Sequence, residues 1–432
     1  MVLSKKRALL ATLSAVFFGI VLWYFSFPTT GIKHNFQPLL VYGSQVVSVA
    51  GYTLFSLSFV FSVRHKVLDR LFGGLDKLYH LHHSTGKLAF FVLLIHPLLL
   101  ALRWIPENNE KALTYFLPLH QKPEIDLGSW SLLGLTLLIL LTIVIKLPYD
   151  RWKVTHKFMG LFYVLGIMHV FYIDSFFEQN TLLAVYLLLL SVLGVLAFLY
   201  MSIFYGILSK KHHFEVKEIT RHSSRIMEIS LVPQDTPLEF IPGQFCFFRF
   251  KQKGISRESH PYTICSTSSN SSIEILVKDL GDYTTKLHSL LKTGTPAILD
   301  GPYGCFNFRQ GSEKQIWIAG GVGIAPFISW AAVLNSAENT GLEIDLYYCF
   351  KNKNDGLFHV EFQKLEKKHK NFRIHRICSE ESGHLKASDI QQPEKKSIFI
   401  CGPKNLRQTL VKDFRTLGTP AKNIHFEDFD FS

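Results

Sequence analysis

Cysteine is missing from the first half of the chain. All six cysteines (Cys246, Cys265, Cys305, Cys349, Cys378 and Cys401) come later, and no two form a C-x-x-C pair. That excludes a zinc ribbon and a disulfide framework, and it fits a reduced cytosolic domain. Low-complexity tracts are absent, and so is any internal repeat apart from a pair of histidine-bearing segments described below. Acidic residues are in deficit, 34 against 46 Lys and Arg, for a net charge of +12. The distribution of that charge argues against a nucleic-acid partner. Lys5, Lys6 and Arg7 precede the first apolar run; Arg64, Lys66, Arg70 and Lys77 lie between the second and third. Lys146, Arg151, Lys153 and Lys157 surround the turn between the fourth and fifth, and Lys210 and Lys211 follow the sixth. The alternate loops lack this excess. Residues 105–127 set Lys111 and Lys122 against Glu107, Glu110, Glu124 and Asp126, and 174–180 carry Asp174 and Glu178 with no Lys or Arg. This asymmetry is the positive-inside pattern, with both termini on the cytoplasmic side.

The chain has 432 residues, 48% of them hydrophobic, and the two halves differ sharply. Up to about Leu208 it is membrane-like, with apolar runs at roughly 8–27, 39–63, 84–104, 128–147, 156–173 and 181–208, each near the ~20 residues that a bilayer demands. The first has basic residues before it, as a signal peptide does. Its apolar core is too long and no small-residue cleavage site follows, so a retained helix is expected.

The third and fifth runs carry histidine. His82 and His96 are fourteen residues apart, which on an α-helix is ~21 Å of rise and a return to within about 40° of the same face. His156 and His169 repeat the arrangement, and His82 and His156 are each followed four residues on by glycine, Gly86 and Gly160. Ionisable side chains inside a membrane helix are costly and usually face a site. Alternating topology makes both helices enter from the cytoplasm, so His82 lies level with His156 near the inner surface and His96 level with His169 near the outer one. Two helices with two histidines each at matched depths suit two stacked bis-imidazole haems. A lone membrane histidine is as readily hydrogen-bonded to a neighbouring helix; the two matched pairs favour the haem reading. The thirteen-residue step from His156 to His169 leaves the second ring ~140° off the face of a regular helix, so a tightened turn or bend is expected near Gly160 or Gly166. His65, His80 and His83 sit beside basic residues and are expected to be interfacial and solvated, with the link 64–81 running along the membrane surface. Pro97 follows the outer histidine and either kinks the helix or is simply tolerated there.

After Lys211 the periodicity changes to strands. HFEVKEIT, RIMEISLVP, QFCFFRF and SIEILVKDL, separated by turn signals, predict a small antiparallel barrel of six strands. From Lys314 the order becomes strand, glycine turn, helix, the pattern of a doubly wound nucleotide-binding fold. The expected domains are 1–211, a six-helix membrane bundle, 212–311, an antiparallel β-barrel, and 312–432, a doubly wound α/β domain.

Several motifs in the soluble half suit phosphate and ring recognition. His260, Pro261, Tyr262, Thr263 and Ser266 end a strand with a proline bend and a line of hydroxyls, although HPYT serves equally as a β-turn. Lys278, Gly281, Tyr283 and Thr284 offer a cation, a glycine turn and further donors, suited to a pyrophosphate. Gly320, Gly321 and Gly323 lie between a strand and a helix, where bare backbone lets a phosphate approach the helix N-terminus; a merely tight loop is the alternative. Pro326 takes the place of the last glycine of the dinucleotide fingerprint, as if at the first turn of the helix. Cys401, Gly402 and Pro403 end a later strand at the sheet's carboxyl edge, where ligands bind in such folds. Lys351 suits an extra 2′-phosphate or stands as a solvated lysine. The chain ends HFEDFDFS, and Phe431 suits stacking on a planar cofactor or packing of the terminal strand.

These residues resemble the flavocytochrome superfamily of NADPH oxidases and transmembrane ferric reductases over nearly the whole chain. His82, His96, His156 and His169 match the family's haem ligands; HPYTICS and GDYT resemble its FAD motifs, GGVGIAPF and CGP its nicotinamide motifs, and FDF its terminal aromatic. The resemblance implies a hydride passed from NADPH or NADH to FAD, then single electrons through two b-type haems to an external acceptor. It places Thr263 or a neighbour near the flavin ring, Cys401 near the nicotinamide and Phe431 at the same centre. The acceptor is O2, giving superoxide, or a ferric chelate. A conduit fed by a partner reductase is disfavoured by the FAD and nicotinamide module on the same chain. Spacings with thirteen and twelve residues between the two His pairs resemble the oxidase branch. The chain departs from the animal oxidases at Ser44 and Gln45, where they place an arginine, and at Leu100, where they place a further histidine. No calcium-binding extension is present, so constitutive activity is expected, with no obligate protein partner. The expected location is a bacterial-type plasma membrane, with the soluble domains cytoplasmic.

Overall fold

The computed structural model describes residues 5–26, 37–120, 122–145, 147, 149–173, 181–223, 225–267, 272–336 and 341–427. They form two compact units that divide at Leu208 and Ser209. Phe431 and the FDF end lie outside the described residues.

In the first unit six helices are long and apolar enough to cross a membrane: Ala8–Phe25, Pro38–Phe61, Leu75–Leu102, Pro123–Leu140, Arg151–Tyr172 and Thr181–Leu208. Their outward faces carry exposed apolar side chains such as Phe17, Leu137 and Leu189, which is the surface a lipid solvent favours. The inward contacts are close and partly polar. Tyr163 of the fifth span is 1% exposed, stacks on Phe59 at 4.6 Å and donates to Ser56 Oγ at 2.8 Å, so the second and fifth spans share a hydrogen bond. Tyr52 and Ser191 join the second and sixth in the same way. Such bonds between spans hold a bundle that gains little from hydrophobic association in lipid.

The third span departs from expectation. It begins at Leu75, not near residue 84, and runs unbroken to Leu102. The link before it is shorter than 64–81: Lys66–Phe72 form a short helix capped by His65 and ended by Gly73 at φ 77°. Lys77, His80 and His83 therefore ride on the spanning helix itself, with His83 exposed. Charged residues in this first turn dilute the hydropathy without interrupting the backbone ladder. Pro97 is buried inside the helix. The fifth span is interrupted at Phe158, between helices Tyr149–Lys157 and Met159–Tyr172. The Phe158 N–H bonds to Thr155 O, three residues back, at 3.0 Å. The irregularity thus lies two residues before Gly160, and Gly166 is inside regular helix.

The second unit opens with an antiparallel sheet of six strands: β1 (Lys211–Arg221), β2 (Ile226–Pro233), β3 (Phe245–Phe250), β4 (His260–Thr263), β5 (Ile273–Lys278) and β6 (Pro296–Tyr303), in the order β4-β3-β6-β1-β2-β5. The two edges meet. Past β4, Ile264 bridges Ile275 of β5, and the Cys265 N–H reaches Glu274 O at 2.8 Å. The sheet closes on itself with Phe214, Phe248, Phe250, Ile229 and Val277 inside. Next comes a parallel sheet of β7 (Lys314–Gly320), β8 (Glu343–Phe350), β9 (Phe372–Cys378), β10 (Ser397–Cys401) and β11 (Ile424–Phe426), ordered β11-β10-β7-β8-β9. β7 is the first strand of this sheet in the chain and has neighbours on both sides, so the strand order reverses beside it. Trp317, Phe327, Trp330 and Phe399 pack on one face of the sheet, where truncating one large aromatic to alanine costs about 3–5 kcal/mol. Two bonds tie helix Ala325–Ser336 to the barrel: Ser329 Oγ donates to Ser266 O and Trp330 Nε1 to Pro242 O, each at 2.9 Å.

Candidate functional site

In the membrane unit the two histidine pairs face one another. The rings of His82 and His156 have centres 6.1 Å apart, and those of His96 and His169 are 6.3 Å apart. Two imidazoles bound to one transition-metal ion through nitrogens about 2 Å away put their ring centres roughly 6 Å apart. Among the described residues no group of three or more His, Cys, Asp or Glu is placed to hold a metal ion. A facing pair at this separation therefore fits an ion whose remaining ligands come from a planar macrocycle.

Hydrogen bonds fix the tautomers of three of the four rings. Ser58 O lies 2.7 Å from His82 Nδ1, and Glu124 O lies 2.6 Å from His169 Nδ1. A carbonyl only accepts, so each Nδ1 carries the proton and Nε2 keeps its lone pair. For His96 the partner is Ser44, whose Oγ is 2.7 Å from Nδ1. The same Oγ donates its one proton to His96 O at 3.0 Å, so it accepts from Nδ1–H. Outer partners of this kind orient metal ligands and raise their basicity. Gly128 completes the setting of His169: a Cβ there would stand 2.8 Å from the imidazole, so only glycine lets the fourth span lie against the ring. His156 is the exception. Its Nδ1 is buried and has no hydrogen-bond partner among the described residues, and Trp152 stacks on its ring at 5.0 Å.

In the second unit two motifs distant in sequence come together. The imidazole of His260 stacks on Tyr283 at 3.6 Å and its Nε2 lies 3.2 Å from Glu258 Oε2. The hydroxyls of Tyr262 and Tyr283 are both buried without a hydrogen-bond partner among the described residues. Burial first, then the neighbouring Tyr283 for one and Glu258 for the other, push both phenols above their ordinary pKa, so they remain neutral donors. These two donors, one on β4 and one in the first turn of helix Asp282–Leu290, fit a cofactor rich in acceptor oxygens. Thr263 ends β4 and is 8% exposed; Pro261 precedes it in the same strand. Ser266 Oγ accepts from the Glu274 N–H at 3.1 Å, which helps to close the barrel.

The GDYT turn differs from expectation. Thr284 Oγ1 accepts from the Leu280 and Gly281 amides at 2.9 and 3.0 Å and donates to Gly281 O, so neither that hydroxyl nor those amides are open to a pyrophosphate. The donors left are the first-turn amides of helix Asp282–Leu290. Gly281 has φ 179°, and a Cβ there meets nothing within 4 Å; glycine is not required by this backbone.

At the carboxyl edge of the parallel sheet the glycine turn and the CGP turn touch. A Cβ on Gly323 would lie 2.4 Å from Cys401 O and 2.8 Å from Gly402 Cα, and one on Gly402, at φ +157°, would lie 2.9 Å from Gly320 Cα. Pro326 is buried in the first turn of helix Ala325–Ser336. Lys278, at the end of β5, directs its ammonium toward this turn, 3.9 Å from where a Cβ of Gly321 would be. Lys351 is exposed just past the same edge of β8, and Pro403 is exposed beside Gly402. Cys401 is 1% exposed; burial first, then Glu427, hold its thiol well above its ordinary pKa, so it contributes packing and not a thiolate. Sequence reading missed Ser58, Glu124, Trp152 and Ser329. The first two act through backbone carbonyls, which carry no side-chain signal.

Comparison with known proteins gives the same layout. Residues 47–167 match the ferric reductase like transmembrane component, 211–307 an FAD-binding domain, and 317–412 an oxidoreductase NAD-binding domain. Flavohemoprotein A of Dictyostelium discoideum is 28% identical over 50% of this chain and 59% of its own length. The glycine betaine monooxygenase reductase subunit of Chromohalobacter salexigens is 27% identical over 45% of this chain and 58% of its own. The chain thus spans less than two thirds of the length of these relatives. Flavohemoglobin from Malassezia yamatoensis, solved with FAD and heme, has a similar fold, with a TM-score of 0.53 at 14% identity over 93% of this chain and 100% of that one. A ferric-reductase-like membrane component followed by FAD-binding and NAD-binding domains is the architecture of the NADPH oxidase and ferric reductase superfamily, and the chain belongs to it.

Proposed function

We propose that the chain carries electrons from NAD(P)H across a membrane to an acceptor on the far side, and that this acceptor is O2. The observation that carries the reading is the pair of facing imidazole pairs, 6.1 and 6.3 Å between ring centres. FAD would supply conversion of a two-electron hydride into single electrons and haem iron would supply one-electron transfer, so one NAD(P)H, oxidised to NAD(P)+ and a proton, would yield two superoxide ions from two O2. The residues supply position. His82 with His156, and His96 with His169, hold one b-type haem each. Ser44, Ser58 and Glu124 keep three of these rings in the ligating tautomer. The apolar spans exclude water from the path, which suppresses side reactions of reactive intermediates.

In the second unit His260, Tyr262, Thr263, Tyr283 and Lys278 bind FAD, with Thr263 nearest the reacting ring. Gly320, Gly321, Gly323, Pro326, Gly402 and Pro403 form the nicotinamide nucleotide site, and Lys351 takes a 2′-phosphate as a point charge and not as a bidentate fork. The functional boundaries fall near 211 and 311. The run of positive charge in alternate loops supports cytoplasmic termini and soluble domains.

A second reading, a ferric-chelate reductase, is favoured by the family to which residues 47–167 are matched. Purified protein with FAD, haem and NADPH in air separates the two. A superoxide-dismutase-sensitive reduction of cytochrome c supports O2 as acceptor. A negligible rate with fast reduction of ferric chelates overturns it in favour of iron.

A further inference from the structure

The two histidine pairs are not equivalent, and the difference lies on one ring. His82, His96 and His169 each have Nδ1 hydrogen-bonded within 2.7 Å. The Nδ1 of His156 is buried with no partner among the described residues, and an unsatisfied buried donor is costly. The orientation of this ring must come from something other than a hydrogen bond. Trp152, one turn earlier on helix Tyr149–Lys157, stacks on it with centres 5.0 Å apart and planes 27° from parallel. Trp152 is itself anchored: its Nε1–H donates to Thr142 Oγ1 at 3.2 Å, on the π-helical turn Leu141–Ile145 that ends the fourth span. The helix break at Phe158 separates His156 from the packed segment after it, so the fifth span does less to hold this ring than a continuous helix would.

We propose that Trp152 is the positioning residue for the His82–His156 centre, holding the His156 imidazole in its ligating orientation by stacking, with Thr142 as its anchor. The proposal rests on the haem reading above. It makes this centre the one whose coordination opens when a single aromatic contact is lost, while the His96–His169 centre stays closed.

The test uses the purified full-length chain loaded with FAD and haem. Ferrous haem with two histidine ligands does not take up carbon monoxide, and haem that has lost one ligand does. Trp152→Leu is expected to let half of the total haem bind carbon monoxide and to shift one of the two components of a reductive titration. Trp152→Phe, which keeps a stacking ring, is expected to behave as wild type, and Thr142→Val to give partial uptake. Wild-type behaviour of Trp152→Leu in both measurements overturns the proposal. If Trp152→Leu does not accumulate, Thr142→Val carries the test, and no uptake there overturns it. A wild-type protein lacking a low-spin haem spectrum defeats the ligand reading itself, a different outcome from a wild-type spectrum that Trp152→Leu leaves unchanged.

Discussion

Gly323→Ala is the perturbation whose effect the nucleotide site defines most closely. The added methyl would stand 2.4 Å from Cys401 O and 2.8 Å from Gly402 Cα. Both are backbone atoms on the neighbouring strand end, so neither can swing aside as a side chain would. Ordinary contact needs the two turns to part by about 1 Å, and overpacking of this kind costs typically 1–3 kcal/mol. The strain falls where the glycine turn meets the CGP turn, at the edge that receives the nicotinamide nucleotide. If it is released only by opening that edge, nucleotide affinity drops roughly 5- to 150-fold. Anaerobic stopped-flow measurement of flavin reduction against NADPH concentration reads this directly, with FAD content as the check on folding. Gly281→Ala is the paired control. Its φ of 179° is open to any residue and its Cβ meets nothing within 4 Å, so its kinetics should match wild type. A Gly323→Ala protein that saturates with NADPH as wild type does, at the same rate, refutes the assignment of this contact to the nucleotide site.

Three further outcomes are expected. His96→Leu and His169→Leu should each lose one haem of two and stop transfer to the external acceptor while flavin reduction persists; unchanged haem content in both sinks the ligand assignment. Tyr283→Phe removes a buried hydroxyl that has no partner among the described residues, so the FAD-free protein should melt at or above the wild-type temperature while FAD binds about tenfold more weakly; unaltered FAD affinity counts against that hydroxyl as a ligand. Asp345, at 7% side-chain exposure, meets His375, Lys396 and Arg373, and the His375 hydrogen bond first, then Lys396 and Arg373, hold its carboxyl at about 2. Because that value is below the unfolded one, its stabilisation is present in full above about pH 4 and is lost as pH falls toward 2, roughly 2 kcal/mol in all. Asp345→Asn should therefore differ from wild type in denaturant midpoint at pH 6 and converge with it near pH 2. A gap that stays constant over that range refutes the attribution.

What could be read from the sequence depended on whether a side chain or the backbone does the work. The six spans were legible because lipid selects composition directly, and the two histidine pairs because charge-bearing rings stand out against that composition. The alternation of HFEVKEIT and RIMEISLVP marked strands of a half-buried sheet, and the glycine turn after QIWIA marked a nucleotide edge. The start of the third span was misplaced because Asp76, Lys77 and the histidines lower the hydropathy of its first turns while leaving the helical ladder intact. Thr284 shows a related limit: a hydroxyl three residues after a glycine reads equally as a ligand donor or as a local cap, and its three hydrogen bonds show the cap.

The histidine site shows where this limit falls. The pairing of four imidazoles follows from spacing and topology, yet what would fit each ring to be a ligand is the state of its second nitrogen. For His82 and His169 that state is set by main-chain carbonyls of residues 58 and 124, which any amino acid would present. For His96 it is set by Ser44, a position that in sequence registers only as the absence of an arginine. For His156 no acceptor of Nδ1 lies among the described residues, and the four-residue spacing within helix Tyr149–Lys157 puts Trp152 against the ring. The 13-residue step that defeats ideal helical geometry contains one tightened turn, at Phe158, and on the haem reading the ring just before that turn is held by an aromatic neighbour instead of a hydrogen bond at Nδ1.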